Sequence, residues 1–325
     1  DVVVVSTRTR MPIERAPIKI EVLDAEEMQE ESTVKPATVL GIVGDASGVQ
    51  VQQSNAISGN ANIRIQGLEG RYTQILRDGL PLYEGFSGGF GLTSIPPLDL
   101  KQVELIKGSA STLYGGGAIG GLINLISKTP TRQRETILTL NHTTFNETNI
   151  NAFASKRNNK LGFTCYAGYT KAAAKDINTD GISDMPRVQA VVLHPKLFFY
   201  PDQSTTISVG LTSTIEKREG GDMLVLANQS DVVHQYFEKN DLVRHSGEFC
   251  IEKKGARNDV FMLKGSFSDF ARSIRTNEHF FKGNQIDYYS EASFLKHALH
   301  SSWINGINVT GNTFQVKDGD PVFLT

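Results

Sequence analysis

The sequence of 325 residues contains little cysteine and no surplus of basic charge. Its two cysteines, Cys165 and Cys250, are too few for a disulfide framework and lack the spacing of metal ligands, so they are interpreted as small packing residues. With a formal net charge of −2, the chain has no basic excess to neutralise nucleic-acid phosphates. Nucleic acid is therefore not expected as a partner.

Long apolar runs and catalytic motifs are also missing. No stretch of about 18 apolar residues occurs, which excludes an ordinary transmembrane helix but not membrane-spanning strands, whose alternating signal is weak. The first ten residues lack the apolar core and cleavage site of a secretory signal, so the chain is expected to begin after export. The seven histidines are scattered, and neither an HExxH motif nor a nucleophile–histidine–acid context occurs, so no enzymatic activity is expected.

Residues 1–130 form the first of two regions with different patterns. Short apolar segments alternate there with glycine-rich loops, and Asp24 followed by Ala-Glu-Glu predicts the start of a helix. The glycine-rich segment 115–121 lacks the GK[ST] sequence and the βαβ context of a nucleotide-binding loop. The pattern as a whole predicts a small α+β domain.

Residues 131–325 form the second region, in which segments of about ten residues alternate with period two. Val209 and Leu211 are expected on one, apolar face of a strand, and Ser208 and Gly210 on the other, polar face. Such alternation is typical of strands with lipid on the outside and a wet lumen inside. A soluble sandwich with one solvated face is the alternative.

The connections between these strands, about nine in number, favour the barrel over the sandwich. Apart from a short first link near 144–147, long and short links alternate, as they do when short turns lie on one side of a membrane and long loops on the other. Short links are expected near 156–160, 200–204, 253–258 and 297–301, and long ones near 171–188, 216–240 and 271–285. About nine strands cannot close a large barrel and the last residues lack a strand-terminal aromatic, so a truncated protein is expected.

Five motifs follow one another in the first region, and their order carries a family resemblance. They are DVVVVS at 1–6, GIVGDASGVQV at 41–51, NIRIQG at 62–67, LRDGLPL at 76–82 and VELIKGSASTLYGGGAIGGLINLISK at 103–128. This series resembles the plug of the TonB-dependent outer-membrane receptors, and its pattern is most similar to that of the cobalamin and ferric-siderophore receptors. Lys107 stands where an arginine is usual, and Ser109 where a proline is usual.

The resemblance implies a fold class, a function and a location. The fold is an α+β plug domain over residues 1–130, followed over 131–325 by antiparallel transmembrane β-barrel strands that form a partial barrel of about 22 strands when complete. The function is import of a scarce nutrient across the outer membrane of a Gram-negative bacterium, most often a ferric siderophore, with cobalamin or haem as alternatives. The implied partners are periplasmic TonB with its inner-membrane energising complex, an extracellular small molecule and outer-membrane lipid. A passive porin or adhesin barrel, the alternative from another class, lacks such a plug.

Three groups of site residues follow from the resemblance. The TonB box, which pairs with TonB by strand addition, corresponds to Val2, Val3, Val4, Val5 and Ser6; an ordinary first plug strand is the alternative. Ligand contacts at the plug apex correspond to Ser54, Asn55, Asn60, Tyr83, Glu84, Phe86 and Phe90, with plain solvated turns as the alternative. Charges that pair the plug with the barrel wall correspond to Arg64, Glu104 and Lys107.

One further motif is independent of the resemblance. Oxygen-bearing residues stand at alternate positions of an expected extracellular loop, with the spacing of a calcium loop: Asp176, Asn178, Asp180, Ile182 through its carbonyl group, and Asp184. Arg187 replaces the bidentate glutamate, which excludes an EF-hand proper. A structural Ca²⁺ and an Asx-turn surface loop are both compatible with the motif. No other cofactor is expected.

Overall fold

The computed structural model describes most of the chain in ten ranges. These are residues 3–4, 11–12, 20–34, 38–55, 57–82, 86, 95–110, 114–255, 259–297 and 301–320. Within them, no helix is both long and apolar enough to cross a membrane.

A mixed five-stranded sheet forms the core of the first region, with the strand order β3-β8-β9-β6-β7. Its strands are β3 Ile20–Leu23, β6 Thr73–Arg77, β7 Leu80–Pro81, β8 Leu100–Lys107 and β9 Gly121–Ser127. Strand β9 is a near-continuous apolar run because both faces of the sheet are covered, and Leu105 of β8 and Ile123 and Leu125 of β9 are fully buried. Strand β8 also carries the buried polar residues Gln102 and Glu104. This sheet is the centre of the α+β plug that the sequence predicts.

Two helices and a hairpin cover the sheet. Helix α1 (Ala25–Val34) begins where predicted, because the carboxylate of Asp24 accepts hydrogen bonds from the backbone N–H groups of Glu26 and Glu27. Helix α2 (Val39–Gly44) is capped by Thr38 and buries Val39 and Val43. The hairpin pairs β4 (Val49–Asn55) with β5 (Asn60–Ile65). Nearer the N-terminus, β1 (Val3–Val4) pairs with β2 (Met11–Pro12).

A second sheet of nine strands forms a wall along one side of the plug. Each strand pairs antiparallel with the next, in the order β10 to β18. The strands are β10 Glu135–His142, β11 Glu147–Arg157, β12 Leu161–Ala172, β13 Arg187–Phe199, β14 Thr205–Gly221, β15 Phe237–Lys254, β16 Val260–Thr276, β17 Phe280–His297 and β18 Ser302–Gly319. The boundary expected at residue 130 lies in the link between β9 and β10.

The two faces of the wall have opposite chemistry. On the outer face Val209 is 52% and Leu211 60% exposed, while Ser208 on the inner face is 6% exposed. Polar inner-face residues are buried along the wall because the plug covers them. They include Asn149, Asn151, Thr164, His194, Lys196, Glu216, Arg218, Asn240, Lys264 and Glu291. This arrangement, apolar outside and polar inside, confirms the predicted strand faces and reverses the rule for soluble proteins.

The links between wall strands differ from the prediction at one place. Long links are found at 173–186 and 222–236, the second containing the short helix α3 (Met223–Leu226), and short ones at 158–160 and 200–204. The long link expected near 271–285 is wrong, because β16 and β17 continue through it and leave only residues 277–279 between them. Strands β14–β18 contain 17 or 18 residues, whereas about 9–11 cross the hydrocarbon layer, so their ends extend past the apolar band.

Candidate functional site at the plug–wall interface

The predicted apical ligand contacts lie partly within the described residues. Asn55 and Asn60 lie at the end of the β4–β5 hairpin, and Phe86 lies against the wall. Ser54 belongs to β4, although the placement of its side chain is not described. Tyr83, Glu84 and Phe90 lie outside the described residues.

Asn55 ties the apical hairpin to the wall. Its amide nitrogen donates to the carboxylate of Glu238 on β15 at 2.7 Å, and its side-chain oxygen accepts from the N–H of Ile57 at 2.9 Å. On the other side of the turn, the guanidinium of Arg218 on β14 donates to the carbonyl of Gly59 at 3.1 Å. Asn55 and Gly59 both belong to the turn of the hairpin, so this turn is bound to β15 through Glu238 and to β14 through Arg218.

Phe86 is enclosed by an aromatic box on the inner face of the wall. Its ring centroid lies 5.7 Å from those of Phe270 and Phe281 and 5.0 Å from that of Phe314. The guanidinium of Arg272 lies 5.7 Å from the Phe86 centroid, within cation–π range. The backbone N–H of Phe86 also donates to the side chain of Gln285 at 3.0 Å. These contacts hold Phe86 itself against the wall.

The three predicted wall-pairing charges contribute differently. The ion pair that the structure gives Lys107 is with Glu21 on β3, inside the plug and not with the wall. Glu104 is fully buried and accepts from the amide of its neighbour Gln102 at 2.9 Å. Arg64 lies on β5, and its Nε is buried without a hydrogen-bond partner among the described residues.

A buried group of three side chains, which the sequence analysis missed, joins the plug to the wall. Arg77 at the end of β6 donates to Asp99 at 2.5 Å, and Asp99 also contacts the Nδ1 atom of His194 on β13 at 2.7 Å. All three side chains are at most 6% exposed. Burial alone would raise the pKa of Asp99, but the Arg77 charge and the His194 hydrogen bond lower it from 3.8 to about 2. The carboxylate is therefore ionised at neutral pH and bridges the two domains.

The turn between β6 and β7 makes a second connection. Asp78 and Gly79 both have positive φ, 52° and 73°, as a two-residue hairpin turn of type I′ requires. The carboxylate of Asp78 lies 2.9 Å from Nζ of Lys196 on β13, and the carbonyl of Gly79 accepts from Nζ of Lys264 on β16 at 2.8 Å. Desolvation acts to raise the pKa of Asp78, but the Lys196 charge and hydrogen bond outweigh it and lower this pKa.

Each of these lysines also has an acidic partner on the wall. Lys196 lies 2.6 Å from Glu248 on β15, and Lys264 lies 3.9 Å from Glu291 on β17. The side chains of Lys196 and Lys264 are each 8% exposed. We call Asp78 and Gly79 the plug turn, and Lys196 and Lys264 with their two glutamates the wall socket.

A cavity of about 620 Å³ lies between the plug and the wall beside the plug turn. The four residues of the wall socket line the part of the cavity next to the plug turn. Lys254 and His297, the last residues of β15 and β17, line another part of it. Its volume is typical of a small-molecule pocket.

The acidic motif in link 173–186 folds through Asx turns. Asp176 accepts from the N–H groups of Thr179 at 2.7 Å and Gly181 at 2.8 Å, and Asp184 accepts from that of Ile177 at 2.7 Å. Asn178 and Asp180 are hydrogen-bonded to each other, and Asp180 also accepts from the N–H of Ile182. Within the parts of the chain that are described, no three His, Cys, Asp or Glu side chains are grouped to hold a metal ion. This geometry favours the Asx-turn alternative, and calcium stays a prediction.

The two long links are joined to each other above the plug. The N–H of Met223 donates to the carbonyl of Gly181, and that of Ser183 to the carbonyl of Gly221, both at 2.9 Å. Within link 222–236, Nδ1 of His234 lies 2.5 Å from the carboxylate of Asp222. That hydrogen bond raises the pKa of His234 above 6.5.

The predicted TonB box is described only at Val3 and Val4, which pair with Pro12 and Met11. The side chain of Val4 is fully buried and packs in a cluster with Ile20, Ile106 and other plug residues. Val2, Val5 and Ser6 lie outside the described residues. The coupling role of this strand stays a prediction.

Comparison with known proteins identifies the domain in the first part of the chain. Residues 12–122 match the family model of the TonB-dependent receptor plug domain. The chain is 27% identical over 139 residues to the vitamin B12 transporter BtuB of Vibrio vulnificus strain CMCP6, covering 43% of this chain and 22% of that protein. It is 33% identical over 129 residues to the ferrichrome outer membrane transporter/phage receptor of Escherichia coli K12, covering 39% and 16%.

Solved structures extend the likeness from the plug to the wall. The siderophore receptor PirA of Acinetobacter baumannii superposes with a TM-score of 0.70 at 17% identity, over 94% of this chain and 49% of that one. The chain thus spans about half the length of that receptor, and its alignments with the two curated relatives cover less than a quarter of each. Residues 12–122 thus form a TonB-dependent receptor plug domain, and the chain shares the combined plug-and-wall fold of that solved structure.

Proposed function

We propose that the protein is an outer-membrane receptor that takes up a scarce ligand from outside the cell, a ferric siderophore in the first instance. The observation that carries this proposal is the polar inner face of the wall, which is covered by a folded plug through buried charged contacts. A passive channel has no use for a plug held by the Arg77–Asp99–His194 group, because such a plug blocks the lumen. A lipid-facing outer surface at Val209 and Leu211 supports the membrane location.

The choice of a siderophore rests on the relatives. The Escherichia coli relative transports ferrichrome and the Acinetobacter baumannii neighbour is a siderophore receptor. Cobalamin is the second candidate, because the Vibrio vulnificus relative is a vitamin B12 transporter and matches the plug over a similar length. The plug residues alone favour neither ligand.

Energy for uptake is proposed to come from periplasmic TonB. The N-terminal strand suits this role, because a strand pairs through its backbone with a partner strand whatever its side chains are. Its present partner is the two-residue strand Met11–Pro12, so few ladder hydrogen bonds need to break before it pairs elsewhere.

Two experiments test the proposal. Mass spectrometry of small molecules retained by the purified receptor should find an iron chelate, and recovery of a corrinoid instead would select the second candidate. Deleting Asp1 to Thr7 should abolish uptake of the identified ligand and leave its binding unchanged. Uptake that survives the deletion would contradict energy coupling through this strand.

A further inference from the structure

Two lysines stand at the edge of the outer face of the wall, at the end where the strands are joined by short links. Lys253 on β15 pairs in register with Phe261 on β16, and Lys296 on β17 pairs with Trp303 on β18. Phe261 also pairs with Phe294 of β17, which precedes Lys296 by two residues. All five side chains have the strand parity of the outward-facing residues, and all five are exposed.

The two lysines flank a floor of aromatic rings. Phe261 is 43%, Phe294 42% and Trp303 64% exposed on this face. Lys253 and Lys296 are two strands and two residues apart, which places their Cα atoms roughly 12 Å from each other. Their long, flexible side chains reach across this distance to a single phosphate group. We call the two lysines and the three aromatic residues the rim site.

The positive charge of the rim site is not neutralised by the protein. Among the residues that the structure describes, neither lysine forms an ion pair. The acids beside them in the sequence are engaged elsewhere: Glu252 is buried on the inner face, and Asp259 accepts a hydrogen bond from a backbone N–H group at 2.8 Å. Residues 256–258 and 298–300, which follow the two strands in the sequence, include no acid.

The outer face is different at the end with the long links. Lys217 on β14 is directly opposite Asp241 on β15. Arg187 and Lys239 lie 3.3 Å and 3.8 Å from the carboxylate of Glu219. Cations at that end therefore have acidic partners on the protein, so the unpaired lysines are a feature of the rim site and not of the whole wall.

We propose that the rim site binds the headgroup of an anionic phospholipid, of which phosphatidylglycerol is the simplest. This inference rests on the proposed outer-membrane location, in which the short links lie on the periplasmic side and the rim site meets the periplasmic leaflet. The lysines hold the phosphate, and the rings lie along the glycerol and the first acyl carbons, at the depth where tryptophan is enriched. Phosphatidylcholine has the same phosphate, but its own ammonium group competes with the lysines.

Trp303 is the reporter for this site, because it is the one tryptophan of the sequence. We would reconstitute the protein in phosphatidylcholine vesicles and replace a rising fraction of the lipid with phosphatidylglycerol whose acyl chains carry bromine, which quenches indole fluorescence on contact. A second series with brominated phosphatidylcholine gives the reference. The signal of a Trp303→Phe variant is subtracted throughout. Both leaflets have one composition, so the orientation of the protein in the vesicle does not affect the result.

Quenching should reach half its limit at a lower fraction of phosphatidylglycerol than of phosphatidylcholine. Lys253→Gln and Lys296→Gln should each lower this preference roughly fivefold, the factor that one basic residue near an anionic surface supplies. Lys217→Gln is the matched control, because it removes the same charge from the same face at the other end of the wall. It should keep the wild-type preference.

The outcomes separate the rim site from the proposed function. Equal quenching by the two lipids in the wild type would overturn the rim site and leave the membrane location standing. An equal loss of preference in Lys217→Gln and Lys253→Gln would also overturn it, because net charge would then explain the selectivity. A Trp303 that neither brominated lipid quenches would contradict the membrane location, and the proposed function with it. Unchanged quenching of the lysine variants by brominated phosphatidylcholine would show that they are folded and inserted, so that a fivefold loss in them supports the site.

Discussion

The plug and the wall are built by opposite rules, although both are mostly β-structure. In the plug, apolar residues such as Leu105 and Ile123 are buried in a continuous core. In the wall, residues such as Leu211 face outwards, and most of the buried side chains are polar, although Phe153 and Phe270 are buried there too. At the proposed membrane location the difference follows from the surroundings, because the plug would be surrounded by polar groups and water and the wall by lipid. The interface between them is consequently largely polar, and it is held by buried charges together with the aromatic contacts of Phe86.

The largest expected effect is at the centre of that interface. Asp99→Asn would leave the Arg77 guanidinium buried without its ionised partner, and breaking a buried pair in this way costs about 3–5 kcal/mol. We expect a matching loss in the free energy of unfolding of the plug, measured by denaturant titration of the detergent-solubilised protein. Glu69→Gln is the control, because its pair with Arg71 is exposed and worth about 0–1 kcal/mol.

The same carboxylate predicts a pH dependence. The pKa of Asp99 is about 2 in the folded state and 3.8 without its partners, so its contribution is present above pH 3.8 and is lost as the pH falls towards 2. The wild-type protein should therefore lose more stability than Asp99→Asn over that interval. A parallel loss in both proteins would mean that Asp99 does not link the domains.

The next effect tests the outer face of the wall. Leu211→Lys should destabilise the membrane-inserted protein by about 2–4 kcal/mol, because a charge near the middle of the bilayer is poorly solvated. Leu161→Lys, at the end of β12 but on the same face, should cost only about 0–1 kcal/mol. A soluble sheet would tolerate both changes equally well. Nitroxide labels at Val209 and Ser208 give an independent check, since only the first should meet lipid-soluble quenchers.

Periodicity predicted the part of the wall that meets lipid and missed the parts that do not. The strands around Val209 and Phe163 alternate cleanly, because only one of their faces is wet. The ends of β16 and β17, around Arg275 and Lys282, extend past the apolar band, and each of their faces mixes polar residues with apolar ones such as Ile274, Phe280 and Phe281. Alternation disappears there, so the sequence suggests a loop where hydrogen-bonded strands continue.

The interface was also only partly predictable. The motif LRDGLPL located the plug turn, but the wall partners of Asp99 and Asp78, which are His194 and Lys196, lie 95 and 118 residues further along the chain. Their inward direction follows from the strand parity of β13, and this parity is the one signal that could have marked them as plug contacts. Which plug residue meets which wall residue depends on how the two domains dock, and a local pattern carries no information on docking.

A smaller effect is expected at the aromatic box. Phe86→Ala removes three ring contacts from a half-buried site, a loss on the order of 2 kcal/mol. Residue 86 should then lose its hold on the wall, and exchange of its amide, which donates to Gln285, should become faster. Phe145→Ala, which removes a ring that is 47% exposed in a link of the wall, should leave that exchange unchanged. Unchanged exchange in both variants would show that the aromatic box does not hold residue 86.

A still weaker effect, which depends on pH, is expected in the mobility of link 222–236. The charged pair of Asp222 and His234 is complete below pH 6.5 and is lost as the pH rises through the raised pKa of His234. A spin label at Val232, which is 89% exposed in the same link, should become more mobile between pH 6 and pH 9. His234→Gln should remove this change. A label whose mobility shifts equally in both proteins would point to another titrating group.

The smallest effect concerns calcium in link 173–186. The three carboxylates that the motif supplies already accept hydrogen bonds from the loop's own N–H groups, so an ion must compete with those bonds. We therefore expect weak binding, at the 10⁻³ M end of the roughly 10⁻⁴–10⁻³ M range of extracellular calcium sites. At a calcium concentration equal to Kd the ion would add only about 0.4 kcal/mol of stability.

Titration calorimetry with Asp180→Ala decides whether this site exists. Asp180 is the informative position, because its carboxylate holds only the N–H of Ile182 and the amide of Asn178, and removing it leaves the Asx turns of Asp176 in place. Wild-type protein should give calcium heats that saturate in the millimolar range, and the variant should give none. Asp202→Ala, in a short link at the opposite end of the wall, is the control for unspecific binding to an exposed acid. Equal heats in all three proteins, or none in the wild type, would leave the Asx turns as the full explanation of the motif.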